Sequence, residues 1–372
     1  MTNWRSYLQT KTRTPAFLWR MVIGIIATGV VVGLVAQQFR GPAADPSTGF
    51  EAVMQSWQQL EQLAEQGQWW QLWWAIPGCE LGRPWPMGPC LLALLTGCCW
   101  FAFALQALEV RRVMSLRLVC AVVALPLGAL SIWLTDFFIL WQEFGWGLQK
   151  LDGLIAGVRY YVLGVGLREE TAKLLCLLPL MPVLVKQRSE LVALIVSSCV
   201  GLGFAVVENA LYFSGSGGQD AMGRFLTANP AHMTLTGLIG LAVYRAVRDP
   251  RGWGPPAVAT FGLMVFAHGL YDAAIGVPAL AEYSIAGTII FALVVYHFFG
   301  ELRELRTAKG ETISLSANFL FGVSLITAAA FVYLSATVGC AAALENLADG
   351  IVGLALMVYL FLREMPESMV RV

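Results

Sequence analysis

Glu169, Glu170 and Lys173, then Glu208 and Asn209, then His232, then His268 and Asp272 lie in stretches that otherwise read as membrane-spanning helices. A charged side chain at the bilayer centre costs about 2.5–3.5 kcal/mol even on insertion scales, so such groups face a polar cavity and pair with one another. Glu169 stands four residues before Lys173 and Glu170 three before it, so one lysine reaches both carboxylates from one helix face. A packing salt bridge accounts for one glutamate and one lysine but leaves a second glutamate over. Adjacent helical residues project about 100° apart. One glutamate can therefore pair with Lys173 or Arg168 while the other points into a cavity and serves as a general base. His268 and Asp272, four apart, also share a face and can aim lone pairs at one point. Glu208 and Asn209 follow Gly201 and Gly203, whose missing side chains permit close helix approach. A role for this pair in anchoring a helix interface stays open beside a role in the site. The chain has three histidines. His297 has Tyr296, Phe298 and Phe299 as neighbours, reads as interfacial and is set aside.

These residues need a membrane scaffold. The chain has 372 residues, 58% hydrophobic and 13% charged, against about 25% charged in an ordinary soluble domain. Apolar runs near residues 17–37, 88–108, 115–138, 156–185, 190–213, 228–247, 255–276, 281–300, 313–337 and 347–363 reach the roughly 20 residues that a span requires. The expected fold is all-α, a polytopic transmembrane bundle of about ten spans, the fourth with a broken or re-entrant entry near Gly153 to Gly166. Cytoplasmic loops are enriched in Lys and Arg. With both termini cytoplasmic, the inner segments hold 17 of the 24 Lys and Arg residues and the outer segments 5, with Arg168 and Lys173 inside a span. The zero net charge hides this asymmetry and gives no support for nucleic-acid binding. Met1 to Arg20 is basic and runs into an apolar stretch without a small-residue cleavage site, which predicts a retained first helix. Residues 1–37 thus form a basic N-terminus and first helix, 38–87 an outer insert, 88–155 the second and third helices, 156–276 the polar core and 277–372 the last helices. The middle of the insert, Phe50 to Trp74, ends in Gln68-Trp69-Trp70-Gln71-Leu72-Trp73-Trp74, which predicts an interfacial helix at the headgroup level or a lid over the polar cluster. Cys79 and Cys90 flank its Pro-rich exit, where an oxidising compartment would allow a disulfide.

At about 1.5 Å of rise per residue, Glu169, Glu170, Glu208, His232, His268 and Asp272 all fall in the outer half of their helices. They are expected to line one water-filled cavity facing the outer leaflet. The ordered pattern Glu169-Glu170-x-x-Lys173, Phe204-x-x-x-Glu208-Asn209 with Tyr212, Arg224 ahead of His232, and His268-x-x-x-Asp272 resembles the PrsW family of intramembrane proteases, within the superfamily of the CAAX prenyl endopeptidases and Abi proteins. The resemblance covers roughly residues 160 to 275. It implies peptide-bond hydrolysis near the membrane, with a single-span membrane protein such as an anti-sigma factor as substrate in a bacterial cytoplasmic membrane.

On that reading Glu169, or else Glu170, deprotonates a water that His232 helps to orient, with Lys173, Asn209 and Arg224 in support. In a metal route His232 and His268, with Glu208 or Asp272, hold a divalent ion, most simply zinc, that activates the water. In a metal-free route the Glu–His pair activates water while His268 and a neighbour stabilise the oxyanion. The His-Glu-x-x-His motif is absent. The competing class is a proton-coupled membrane transporter, since buried acids, a lysine and histidines also build proton relays. It predicts an inverted repeat, and residues 280–372 carry no second copy of the cluster.

Overall fold

The computed structural model describes residues 4–39, 47–108, 115–283, 285–306, 314–349 and 351–365. Arg40, Arg111, Arg112, Lys309 and Arg371 of the loop-charge tally lie outside them. The described residues are helical, without a strand. α1 (Trp4–Lys11) and α2 (Pro15–Ala36) are followed by α3 (Ser47–Glu65), α4 (Trp69–Gly82), α5 (Met87–Ala107) and α6 (Leu116–Leu140). The middle of the chain forms α7 (Leu154–Arg159), α8 (Leu167–Leu177), α9 (Met181–Gln187), α10 (Glu190–Ser216), α11 (Ala221–Leu226), α12 (Ala228–Arg248) and α13 (Pro250–Gly276). α14 (Ile285–Leu305), α15 (Leu315–Thr337), α16 (Cys340–Ala348) and α17 (Ile351–Glu364) come last.

Seven described helices, α2, α5, α6, α10, α13, α14 and α15, are long and apolar enough to cross a membrane, and the pair α16–α17, bent by 58°, would make an eighth. The expected ten differs in two places. The run 156–185 is not one helix. It passes from α7 through a π-helical turn, Tyr160–Gly166, into α8, then through a 3₁₀ turn at Pro179 into α9. α12 is one unbroken helix of 21 residues, but Asn229, His232, Thr234, Thr236, Arg245 and Arg248 make it more polar than a spanning segment. Its polar groups are tolerated because protein, not lipid, surrounds most of it.

α10 is the central mast: 83% of its apolar stretch is buried, against 17–44% in the other six spans. It packs on α5, α6 and α12, α12 packs on α13, and α8 sits against α6, α10, α12 and α13. Capping fixes where these helices begin. The side chains of Ser115, Ser189 and Asp249 accept from the amides of Leu118 at 3.3 Å, Val192 at 3.4 Å and Gly252 at 3.1 Å, satisfying donors that have no partner within the helix. α10 ends on Gly217 in the left-handed region, φ 62°. Two crossings on α10 admit only glycine. A Cβ on Gly201 would lie 2.1 Å from the His232 carbonyl oxygen on α12, and one on Gly203 2.0 Å from that of Leu125 on α6. Such close approach is how helices associate where no hydrophobic driving force separates protein from lipid.

The insert is a helical hairpin rather than a single interfacial helix. α3 and α4 pack together around Leu60, Ala64, Leu72 and Ile76, with Leu140 of α6 in the same cluster. The Trp73 ring stacks 4.6 Å from Trp133 and 5.3 Å from Phe137 of α6, and Trp133 Nε1 donates to the Trp73 carbonyl at 3.2 Å. Trp70 and Trp74 instead point outward, 71% and 59% exposed. The tryptophan run thus divides between a docking face and a free face. Cys79 on α4 and Cys90 on α5 are both free thiols.

The glycine crossing yields a stability prediction. Gly201→Ala forces α10 from α12 at the residue that carries His232, and overpacking of this kind costs about 1–3 kcal/mol. Gly215→Ala, also on α10 but with nothing within 4 Å of the new methyl, is expected to be neutral or stabilising by up to about 1 kcal/mol. Thermal unfolding of the two variants in one detergent checks this; equal melting points would contradict it.

Candidate active site

α8, α10, α12 and α13 bring the polar residues of four separate sequence motifs to one place. The α8–α13 contact is close because a Cβ on Gly269 would lie 2.4 Å from Val162 Cα in the π-helical turn. That crossing sets Glu169 and Glu170, a few residues on from the turn, against His268, one residue before Gly269. A wide π turn is a frequent companion of functional sites.

Lys173 is the hub. It is fully buried, and as an ammonium it has three N–H donors. Three acceptors meet them: Glu169 Oε2 at 3.3 Å, Glu170 Oε1 at 2.9 Å and His232 Nδ1 at 2.9 Å. The Phe204 ring, 4.0 Å from Nζ, covers the same ammonium, a cation–π contact strengthened by desolvation. This is the physical role of the Phe204 position in the Phe204-x-x-x-Glu208 motif. Because an ammonium only donates, Nδ1 of His232 must accept, which puts the neutral imidazole's proton on Nε2. Nε2 then donates to Glu208 Oε2 at 3.0 Å.

The two glutamates are not equivalent. Glu170 is fully buried. It accepts from Lys173, from His268 Nδ1 at 2.8 Å and from the Thr236 hydroxyl at 3.3 Å, and it does not reach the cavity. Glu169 does. A cavity of about 440 Å³ is lined by Glu169, Glu208, His232, His268 and Asp272, together with Lys150, Arg168, Arg224 and Tyr161. Five of the six residues expected on one cavity are therefore there, and Glu170 stands behind the wall as a support for His268. Thr236, which the sequence reading did not single out, sits one turn beyond His232 on α12; that i, i+4 spacing was the available signal.

Arg224, Asn209 and Asn229 complete the network. Arg224 is hydrogen-bonded to Glu208 and donates from Nε to Asn209 Oδ1 at 2.6 Å, while Asn209 Nδ2 donates to Asn229 Oδ1 at 2.8 Å. The Tyr212 ring lies 3.7 Å from the Arg224 guanidinium. Glu208 thus lines the cavity, while the buried Asn209 ties α10 to α12 through Asn229. His297 is remote from all of this, exposed on α14.

Among the described residues, Glu169, His232 and His268 each offer one donor atom such that all three atoms lie within 4.8 Å of one another. Two imidazoles and a carboxylate form the donor set of hydrolytic zinc sites. His268 suits the role as it stands: Nδ1 donates to Glu170, the outer bond that orients a metal-ligating histidine. Its Nε2 points between Glu169 Oε2 at 3.6 Å and Asp272 Oδ2 at 3.4 Å, a position that favours a proton or a metal ion. His232 Nε2 offers a lone pair only in the other tautomer, with a proton from Lys173 moved to Nδ1 and the Nε2 proton passed to Glu208, so ion and proton compete there. Glu208 and Asp272, expected as the third ligand, are outside this group. Each flanks a histidine instead, and the Arg224 pair holds Glu208 back.

Removing the hub should unfold the site. Lys173→Met leaves two buried carboxylates without a cation, and breaking such a buried pair costs about 3–5 kcal/mol. Adding Glu170→Gln should recover part of that loss, because one of the stranded charges is gone. Melting temperatures of the two single variants and the double variant measure the coupling; strictly additive effects would contradict the hub.

No curated protein and no solved structure shows a significant match to this chain. Residues 115–299, the stretch that contains every member of the constellation, match the sequence model of PrsW family intramembrane metalloproteases. That stretch, just under half of the chain, is similar to this protease family, and it includes helices long and apolar enough to cross a membrane.

Proposed function

We propose that this chain is an endopeptidase that cuts a peptide bond of a single-span membrane protein in the cavity between α8, α10, α12 and α13, near the outer leaflet. One observation carries the reading: of two adjacent glutamates bound to one buried lysine, Glu169 alone opens on the cavity, with both histidines beside it. Glu169 is the base. Its carboxylate takes a proton from a water in the cavity, and the longer contact to Lys173, 3.3 Å against 2.9 Å for Glu170, leaves it the freer of the two.

His232, backed by Lys173 on Nδ1, presents the Nε2 proton on the cavity wall. That N–H, released from Glu208, stabilises the developing oxyanion, and the proton that Glu169 takes from the water passes to the leaving amine. Glu170 keeps the His268 ring in place, and Asp272 balances charge at Nε2. A divalent ion would be held by Glu169, His232 and His268, and Glu169 would then be a ligand in place of its role as the base. Bound there it would polarise the scissile carbonyl and lower the pKa of its water to about 7, as zinc does in hydrolases.

The outward face of the insert is the part of the molecule suited to engage a substrate's membrane-proximal segment. Trp70 and Trp74 stand 5.6 Å apart and are exposed, on a hairpin anchored to α6.

Purified protein incubated with single-span substrates tests the reaction. Glu169→Gln is expected to lower kcat/KM by at least about 100-fold, the usual worth of a positioned base, with melting unchanged to within a few degrees. If wild type cleaves nothing and the variants remain folded, proton-coupled transport becomes the better account. Elemental analysis of wild type beside His268→Ala tests the ion: one divalent metal per chain in wild type and its loss in the variant are expected. A double Trp70→Ser, Trp74→Ser variant should cleave full single-span substrates more slowly than wild type and short peptides at the same rate. Equal slowing on both would remove the insert from recognition.

A further inference from the structure

Arg168 is a charge that the proposed hydrolysis does not use. It immediately precedes Glu169, lines the same cavity and is 8% exposed. Its Nε and Nη1 are buried without a hydrogen-bond acceptor, and its guanidinium rests 5.6 Å from the ring of Tyr160 in the π-helical turn. Asp136 and Glu143 are the acids on neighbouring elements that feel its charge, and neither is hydrogen-bonded or ion-paired with it. The other cations on the wall are engaged: Arg224 with Glu208 and Asn209, and Lys150 with the Tyr161 hydroxyl at 3.0 Å.

An unpaired guanidinium in a desolvated wall carries a penalty of several kcal/mol. A ligand that brings the missing acceptors removes that penalty. The planar fork of arginine matches a carboxylate through two parallel hydrogen bonds. Lys150 at the exposed rim adds a second positive charge on the way in. Resting on the protease reading above, we infer that Arg168 forms a specificity subsite for a carboxylate carried by the substrate chain. Because Arg168 and Glu169 are consecutive on one helix, that carboxylate sits within a few residues of the scissile bond, at roughly 3.3 Å per residue of extended peptide. Two sources carry this chemistry, an acidic side chain near the cleaved bond and the free end of a short substrate.

The test uses the full chain in nanodiscs of neutral phosphatidylcholine. Synthetic membrane-spanning peptides carry a single Glu, or Gln as its isostere, at each position from three before to three after the cleaved bond, each with a free or amidated C-terminus. Wild type is expected to prefer Glu over Gln, or the free end over the amide, by at least about tenfold in kcat/KM at one position, the size of one charged hydrogen bond. The position of the preference tells side chain from chain end. In Arg168→Gln the ratio should collapse to within about twofold of unity, and in Arg168→Lys, which keeps the charge without the fork, it should fall part of the way. Ratios cancel any general loss of activity, and Arg168→Lys serves if Arg168→Gln does not fold. Cleavage with no carboxylate preference, or with the same preference in wild type and variants, overturns the subsite while the protease stands. If nothing is cleaved, binding of the same fluorescently labelled peptides decides: an Arg168-dependent preference for Glu or the free end keeps the subsite though the protease reading fails, and its absence overturns both. A preference in neutral discs that anionic lipid abolishes by competition assigns Arg168 to a lipid headgroup and also overturns the proposal.

Discussion

The buried ammonium of Lys173 is the interaction on which the rest of this structure depends. Fully buried, it meets protein acceptors with its three N–H groups, one each from Glu169, Glu170 and His232. That single requirement ties α8 to α12 and decides which nitrogen of His232 carries the proton. Through Glu170 it also orients His268 on α13. A carboxylate or an imidazole alone at this depth would be expensive; joined around one cation, each neutralises the others' burial.

The scaffold exists to bring those groups within reach. α10 is enclosed by protein along most of its length, and where it meets α12 and α6 the contact is backbone on backbone, at Gly201 and Gly203. Association within a bilayer rests on packing and polar contacts, so these glycines do for the membrane core what a hydrophobic interior does for a soluble one. The crossing of Gly269 over the π-helical turn does the same for α13 and α8. The geometry of the site therefore comes from residues with no side chain at all, next to residues with highly charged ones.

The cavity itself is asymmetric in charge. Glu208 is held by Arg224 and His232, Asp272 faces His268, and Glu169 shares Lys173 with Glu170. Among the described residues, Arg168 is the buried cation on the wall, and its Nε and Nη1 lack an acceptor.

Much of this was written in the sequence. Lys173 three and four residues from two glutamates, His268 four from Asp272, and two glycines ahead of Glu208 are spacings whose meaning follows from helical periodicity alone. The all-helical class and the membrane setting follow from composition. Other features were not legible because they depend on contacts between segments far apart in the chain. The glycines from Gly153 to Gly166 pointed to the break where the π turn lies, but hydropathy counts a span by length, so it could not see the second division at Pro179, nor α12 being too polar for lipid yet sheltered by its neighbours. It could not divide the tryptophans of the insert, since Trp133 and Phe137, which dock Trp73, lie some sixty residues on. Sequence determined which residues would be charged in the membrane and on which helix face each would stand. Tertiary structure decided that Glu169 opens on the cavity while Glu170 is sealed behind it, because only the packing of α12 and α13 fixes which carboxylate meets Thr236 and His268 and which meets open space.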